Sequence, residues 1–433
     1  MAGPARGPAI HDFGGSMKAW MRGTSPRMTI FVLQEDTFML PLAGQRIIAV
    51  EQYGAGPFGT MLLADLGAEL IKVESAQEGG DFGRRVGPYF FGPDDSEFFQ
   101  SFNRNKKSIT LNFRAPEARA VFRDLVKTAD GVLDNLRGDK PAELGITYEA
   151  LKDVNPTIVC AHLSAYGREG SRRDWPGFDY LMQAEAGYLS VTGEPDGPPA
   201  RCGLSIVDLM TGVTAALALV SGIVGAKASG HGRDIDVSLF DVALQNLCYL
   251  ATWYLNDGVN TGRVPRSGHP SIVPSQLYRT QDGWIFIMVN KENYWPALCA
   301  KIGRPDLVTD PAFATGKARL ANRGQLTDVL DAVLMTRTTA AWLRDFAGEV
   351  PAAPVNDIKD ALDNPFVRDE GRITRYRHPA KGRIPMLTTP FRCPGETFPD
   401  QGAPTLGADT QAILGALGYD AAQIARLRQA GAI

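Results

Sequence analysis

The residue best placed to do chemistry is Asp179, in the run Pro176-Gly177-Phe178-Asp179-Tyr180. A continuous apolar stretch at residues 158–163 reads as a buried strand. A loop containing Ser164-Ala165-Tyr166-Gly167 follows, and Asp179 then opens an amphipathic run through Leu181, Met182 and Ala186. One carboxylate thus stands where a loop becomes a helix. The first N–H groups of a helix lack intrahelical partners and carry partial positive charge, so they can hold an anion or a developing oxyanion beside that carboxylate. The same placement also suits an N-cap aspartate with a purely structural role. A second group is cationic: Arg104, Lys106 and Lys107 fall within Asn103-Arg104-Asn105-Lys106-Lys107, with Arg84 and Arg85 upstream. Such a cluster is either a solvated loop or a local anion site.

For these groups to meet, strands must end near them. Residues 46–50 form a continuous apolar run, the glycine-rich turn 52–57 leads into a helix over 58–66, and residues 69–74 give the next strand. That order is a βαβ crossover, which implies a parallel sheet covered by helices. The alternation continues with strands at 108–111 and 131–133, helices at 116–128 and 148–154, and the strand at 158–163 that delivers Asp179. Asp208 then begins a long small-residue helix, 234–239 alternates as a strand, and 240–255 reads as a helix. The fold class is α/β, with a Rossmann-like parallel sheet in a large domain. Because the turn at 52–57 lacks G-x-G-x-x-G, a nicotinamide dinucleotide is disfavoured.

Composition narrows the function further. The 433 residues are 44% hydrophobic and 21% charged, enough for a full core and more than one domain. A net charge of −3 argues against nucleic-acid binding, so any anion site must be local. Five scattered cysteines without C-x-x-C suit reduced thiols in a cytoplasm, and the five histidines show no metal-ligand spacing, so no metal is expected. No run of about 18 apolar residues is read, and no membrane span is expected. Glycines and prolines crowd residues 258–275. The chain is accordingly divided into a large domain at 40–257, a linker at 258–275, a small α+β domain at 276–350 and a returning segment at 351–433 that ends in an amphipathic helix at 421–429. Residues 1–39, rich in Gly, Pro, Ala and Arg, are expected to be a disordered extension.

Ala55-Gly56-Pro57-Phe58, then Ala64-Asp65-Leu66-Gly67-Ala68-Glu69, the 103–107 run, Pro176-Gly177-Phe178-Asp179, Gly230-His231-Gly232-Arg233-Asp234 and Pro404-Thr405-Leu406-Gly407 follow one another along the chain. Together they make it resemble the class III CoA-transferases, the family of formyl-CoA:oxalate CoA-transferase, with the α-methylacyl-CoA racemases as near cousins. The resemblance runs from about Pro41 to Ile433. It implies a ring-shaped subunit interlocked with a second copy in a homodimer, and coenzyme A or acyl-CoA as substrate rather than resident cofactor. It also implies that Asp179 is the nucleophile, that Arg104, Lys106, Lys107, Tyr166, Tyr53 and Ala55 contact CoA, and that Arg266, His269 and Gln183 face the acid substrate.

A CoA-transferase must conserve thioester energy while moving CoA between two carboxylic acids. A carboxylate nucleophile does so, because its attack on a thioester gives a mixed anhydride that is equally activated. In this reading Asp179 attacks the donor, the released CoA thiolate returns to the aspartyl carbonyl, and the acceptor acid reverses the sequence. Succinyl-CoA is the expected donor, on the likeness of loop 266–276 to members acting on dicarboxylic acids. The racemase alternative needs two acid/base groups, and Phe178 occupies the position where the racemases carry a histidine. Asp208, near their second carboxylate, is read as a structural or N-cap residue. A catalytically idle CoA-binding protein is the third reading.

Overall fold

A computed structural model of the chain describes residues 39–433. Apart from Met39, the expected N-terminal extension lies outside the described residues. The large unit is built on six parallel strands: β1 (Arg46–Val50), β2 (Glu69–Glu74), β3 (Lys107–Thr110), β4 (Gly131–Asp134), β5 (Val159–Ser164) and β6 (Arg233–Ser238). They lie in the order β3-β2-β1-β4-β5-β6, the doubly wound arrangement.

The continuous apolar runs of the strands follow from burial on both faces. In β1, Ile47 and Ala49 enter one core with Leu63, Leu133 and Leu219. Ile48 and Val50 enter the opposite core with Val121, Phe122 and Leu414. The chain reverses direction across the sheet between β1 and β4, so a crevice opens at their carboxyl ends, the place where open α/β sheets take their ligands.

Two helices frame that crevice. Helix α1 (Ala55–Asp65) starts three residues earlier than its apolar pattern suggests, because Ala55, Gly56 and Pro57 join it behind Gly54 as N-cap. Across from it runs the 24-residue α4 (Ile206–Ser229). The backbones touch: a Cβ on Gly212 would lie 2.3 Å from the Ala55 carbonyl oxygen, and one on Gly59 would lie 2.2 Å from that of Gly212. Glycine at both positions is what lets α4 bring its first turn up to the start of α1. This helix also corrects the expectation about apolar stretches, since its mean hydropathy of 1.9 and its length would suffice to cross a membrane. Much of that apolarity is core packing: Ala215, Leu219, Gly222 and Ile223 are buried against the sheet and α1.

Between β1 and α4, α2 (Pro116–Val126) covers the other face and α3 (Asp179–Glu185) carries the aspartate singled out above. The helix expected over 240–255 is broken into α5 (Leu239–Asn246) and α6 (Tyr249–Asp257) at Cys248, whose φ of +50° is incompatible with helix. A smaller antiparallel sheet follows, with β8 (Trp284–Met288) between β7 (Ser275–Arg279) and β9 (Ala352–Pro354), over its own core of Trp295, Leu330, Trp342 and Phe346. The amphipathic terminal helix α7 (Ala421–Gln429) returns to the large unit, burying Ile424 and Leu427 beside α2.

Candidate active site

Strand β5 delivers the chain to a loop that Pro176-Gly177 keeps extended, and helix begins only at Asp179. A Cβ on Gly177 would sit 2.5 Å from that of Ala165, so the loop is pressed onto the end of the strand. Phe178 is the N-cap of α3, and no side chain caps that helix. The cap reading of Asp179 therefore fails for its own helix. Its carboxylate, 4% exposed, reaches across to α4: Oδ2 accepts the Asp208 backbone N–H at 2.9 Å, and Oδ1 accepts Gln183 Nε2 at 2.6 Å. Gln183 is itself fixed, donating to the Leu204 carbonyl at 3.1 Å and accepting from the Cys202 N–H at 2.9 Å. A negative charge in this position is favoured by the unpaired N–H groups and dipole of a long helix.

Of the two readings of Asp208, structural or N-cap, the N-cap one fails. Ser205 occupies the N-cap position of α4, and Asp208 lies within the first turn with its side chain 8% exposed. Burial, and then the charge of Asp179, push its carboxyl up to about 7. It leans on Gly54, where a Cβ would meet Asp208 Oδ2 at 3.0 Å. It also lines a cavity of about 520 Å³ together with Tyr53, Ala55, Asn135, Arg137, Trp175 and Phe178. Asp179 stands just behind this wall, flanked in sequence by the lining residue Phe178.

A second cavity, of about 450 Å³, opens over the carboxyl ends of β1 and β2 and shares Gln52 and Leu136 with the first. Its cations are Arg114, Arg119 and Lys140, with Phe113 beside them. The two cavities adjoin at Gln52 and Leu136 along one groove, lined at one end by these cations together with the carboxylates Glu51, Glu74, Glu78, Asp81 and Glu143, and reaching Asp208 at the other.

The expected CoA contacts divide. Tyr53 and Ala55 line the first cavity, and Tyr53 is held in a left-handed conformation (φ +69°) with its N–H on Asp81 Oδ1 at 2.8 Å. Tyr166 does not line it: its hydroxyl donates to Glu185 at 2.6 Å and its ring meets Trp175 edge-on. The cations at 104–107, expected to contact CoA, are engaged within the protein. Arg104 is 5% exposed and bound to Asp65 at 2.6 Å, while Lys106 is 5% exposed and bound to Glu51 at 2.7 Å and to the Pro57 carbonyl at 2.9 Å. Arg84 is likewise buried against Glu74. Lys107 is half-exposed, with its ammonium 2.6 Å from Glu69, and lines neither cavity. Charges already matched by buried carboxylates are not available to a phosphate.

The substrate-side residues divide as well. Gln183 touches Asp179, whereas Arg266 is paired with Asp331 at 2.6 Å and His269 Nε2 lies 3.2 Å from the Tyr249 hydroxyl. Neither of the latter two lines the groove. Among the described residues no group of three or more His, Cys, Asp or Glu is placed to hold a metal. The residues missed by sequence reading are Arg114, Arg119, Lys140 and the side chain of Asp208. Arg114 could have been found from its place just past the carboxyl end of β3.

A sequence model of the family described as CoA-transferase family III matches residues 42–410. An acyl-CoA transferase of Fusarium pseudograminearum is 35% identical over 407 residues, covering 90% of this chain and 88% of the relative. A succinate–glutarate CoA-transferase of Agrobacterium fabrum is 34% identical over 369 residues, covering 81% and 89%. The crystal structure of a CAIB/BAIF family protein from Brucella suis superposes with a TM-score of 0.76 at 32% identity, covering 88% of this chain and all of that one.

Proposed function

The chain belongs to CoA-transferase family III, an enzyme family that acts on acyl-CoA and a carboxylic acid, and on that premise we propose that Asp179 is the nucleophile. The observation that carries this reading is the double hold on its carboxylate. Whichever oxygen attacks the donor thioester, the other becomes the aspartyl carbonyl oxygen and keeps a donor, either Gln183 Nε2 or the Asp208 N–H. That donor is then in place for the oxyanion that forms when CoA thiolate attacks the aspartyl carbonyl. The sequence is donor acyl transfer to Asp179 with release of thiolate, return of thiolate to give aspartyl-CoA and the first free acid, and attack by the acceptor acid in reverse order. The groove supports the same reading: a nucleotide end at Arg114, Arg119 and Lys140, and a thiol end at Asp208, suit a long acyl-CoA.

The relative named for succinate and glutarate supports dicarboxylic acids as donor and acceptor. A racemase reading would need an acid/base partner where Phe178, 62% exposed, supplies none. A homodimer is the proposed assembly, supported by the exposed stripe Met210, Val213, Leu217 and Val224 along α4, of which Leu217 is 66% and Val224 65% exposed. Interlocked rings remain the form that the family resemblance implies.

The test is intact-protein mass spectrometry with succinyl-CoA. Wild type should carry a hydroxylamine-sensitive CoA adduct on the peptide containing Asp179. Asp179→Ala should carry none, and its transfer rate should fall by roughly 10⁴ or more. Retained turnover in that variant, or an adduct elsewhere, would remove Asp179 as nucleophile. A panel of mono- and dicarboxylic acceptors decides the substrate class.

A further inference from the structure

We propose that Asp208 is a second catalytic residue, a carboxylic acid that carries the site's proton while Asp179 is charged and lends it to the CoA sulfur when Asp179 is acylated. This inference rests on the transferase reading above and extends it.

Three observations carry it. Asp208 as a residue is only 8% exposed, yet among the described residues no hydrogen bond or ion pair reaches its carboxyl, which faces the cavity. It lines the cavity, whereas Asp179 does not, so a thiol arriving there meets Asp208 first. Its backbone N–H is bound to Asp179 at 2.9 Å, so the two carboxyls are held together by the first turn of one helix. An unpartnered buried carboxyl prefers to be neutral, and a neighbouring negative charge adds to that preference. The other groups facing it do not reverse this. Tyr53 approaches from the turn before α1 and is itself pushed up, first by burial and then by Asp208. Tyr180 comes from α3. Arg137, in the loop after β4, is the only cation among the described residues that lines the cavity, and it is already bound to Asp139 at 2.6 Å.

The proton balance closes over one cycle. Asp179 carboxylate displaces CoA thiolate from the donor and becomes a neutral anhydride, and the charge that added to burial in keeping Asp208 protonated is gone. The thiolate, conjugate base of a thiol with pKa about 8.5, is the stronger base, so it takes the Asp208 proton and waits as a thiol in a cavity with little to solvate an anion. For its return, Asp208 carboxylate removes that proton as sulfur attacks the aspartyl carbonyl. The carbon–sulfur bond forms, the anhydride carbon–oxygen bond breaks, the first acid leaves as carboxylate and Asp208 is again protonated. No oxidant, reductant or net proton is required.

The test has two arms. Infrared difference spectra over pH should show a protonated carboxyl band that titrates near neutrality in wild type, is missing in Asp208→Asn, and titrates lower in Asp179→Asn, where the neighbouring charge is removed. This arm needs no turnover, and its Asp179→Asn half leaves Asp208 native. In the kinetic arm, the rate of adduct formation from succinyl-CoA should fall as pH rises through the same range in wild type. Asp208→Asn should lose that limb and about 10²- to 10³-fold in rate, and Asp208→Glu should restore the limb. A wild-type band in the neutral range that survives Asp208→Asn, or an Asp208→Asn enzyme with wild-type rate and pH profile, overturns the proposal. If wild type gives no adduct with any donor while the band behaves as expected, the transferase reading fails and with it the transfer of the proton to sulfur.

Discussion

Two buried charge clusters flank the groove, and they are built on opposite rules. Beneath the turn before α1, the carboxylates Glu51, Glu74 and Asp81 face the cations Lys72, Arg84 and Lys106, with Lys72 2.8 Å from Asp81 and Lys106 2.7 Å from Glu51. At the start of α4, Asp179 and Asp208 are buried to the same degree with no cation between them. The first cluster is balanced and holds the Tyr53 turn in place through Asp81. The second is unbalanced, and imbalance is what leaves a proton free to move. Burial alone does not separate the proposed catalytic carboxyls from the structural ones; the absence of a counter-charge does.

The comparison breaks first at Lys72. Its side chain is fully buried, and although burial pulls it down, Asp81, Glu51 and Glu74 hold it above its usual range. Lys72→Met strands Asp81, which has no other ion-pair partner among the described residues, and about 3–5 kcal/mol of stability should be lost in chemical denaturation. Lys72→Met combined with Asp81→Asn should recover part of it. A loss below about 1 kcal/mol would mean that the balanced cluster is not holding the turn.

Removing a polar partner from the unbalanced pair should do the reverse, costing rate more than stability. Gln183→Ala takes away one donor to Asp179 and should lower kcat by roughly 10²-fold with little change in KM. Gln183→Glu should be worse, since it adds a third carboxyl to the pair. If Gln183→Ala raised KM alone, the residue would be a substrate contact and not the oxyanion donor argued above.

The sequence made the sheet legible because its strands are buried on both faces, so unbroken runs such as Ile47-Ile48-Ala49-Val50 have no other home. It also placed Asp179 at a helix start, because Pro176-Gly177 stops regular structure just before it. What it could not show were partners distant along the chain. Arg104 and Lys106 look like a loop cluster until Asp65 and Glu51, 39 and 55 residues away, are folded onto them. Asp208 looked like a cap because Ser205, three residues earlier, gives no stronger local signal. The apolar pattern of 240–255 runs unbroken through Cys248, and only backbone geometry reveals the break.

The same contrast between spent and available charge sets the smallest expected effect. Arg104 and Lys106 satisfy carboxylates inside the protein, whereas Arg114, with 85% of its side chain exposed, and Lys140 stand at the groove with acids at the surface beside them, Glu78 for the first and Glu143 and the half-buried Asp139 for the second. An ion pair in water is weak and readily exchanged for a phosphate. Arg114→Ala with Lys140→Ala should therefore leave unfolding unchanged and weaken CoA by roughly tenfold, with the deficit shrinking as salt rises. Pantetheine, which has the thiol but lacks the nucleotide phosphates, should bind the double variant as it binds wild type. Arg104→Ala is the counterpart, expected to lose stability because Asp65 is left buried and unpaired. Equal weakening of CoA and pantetheine in the Arg114/Lys140 variant would move the nucleotide out of this end of the groove.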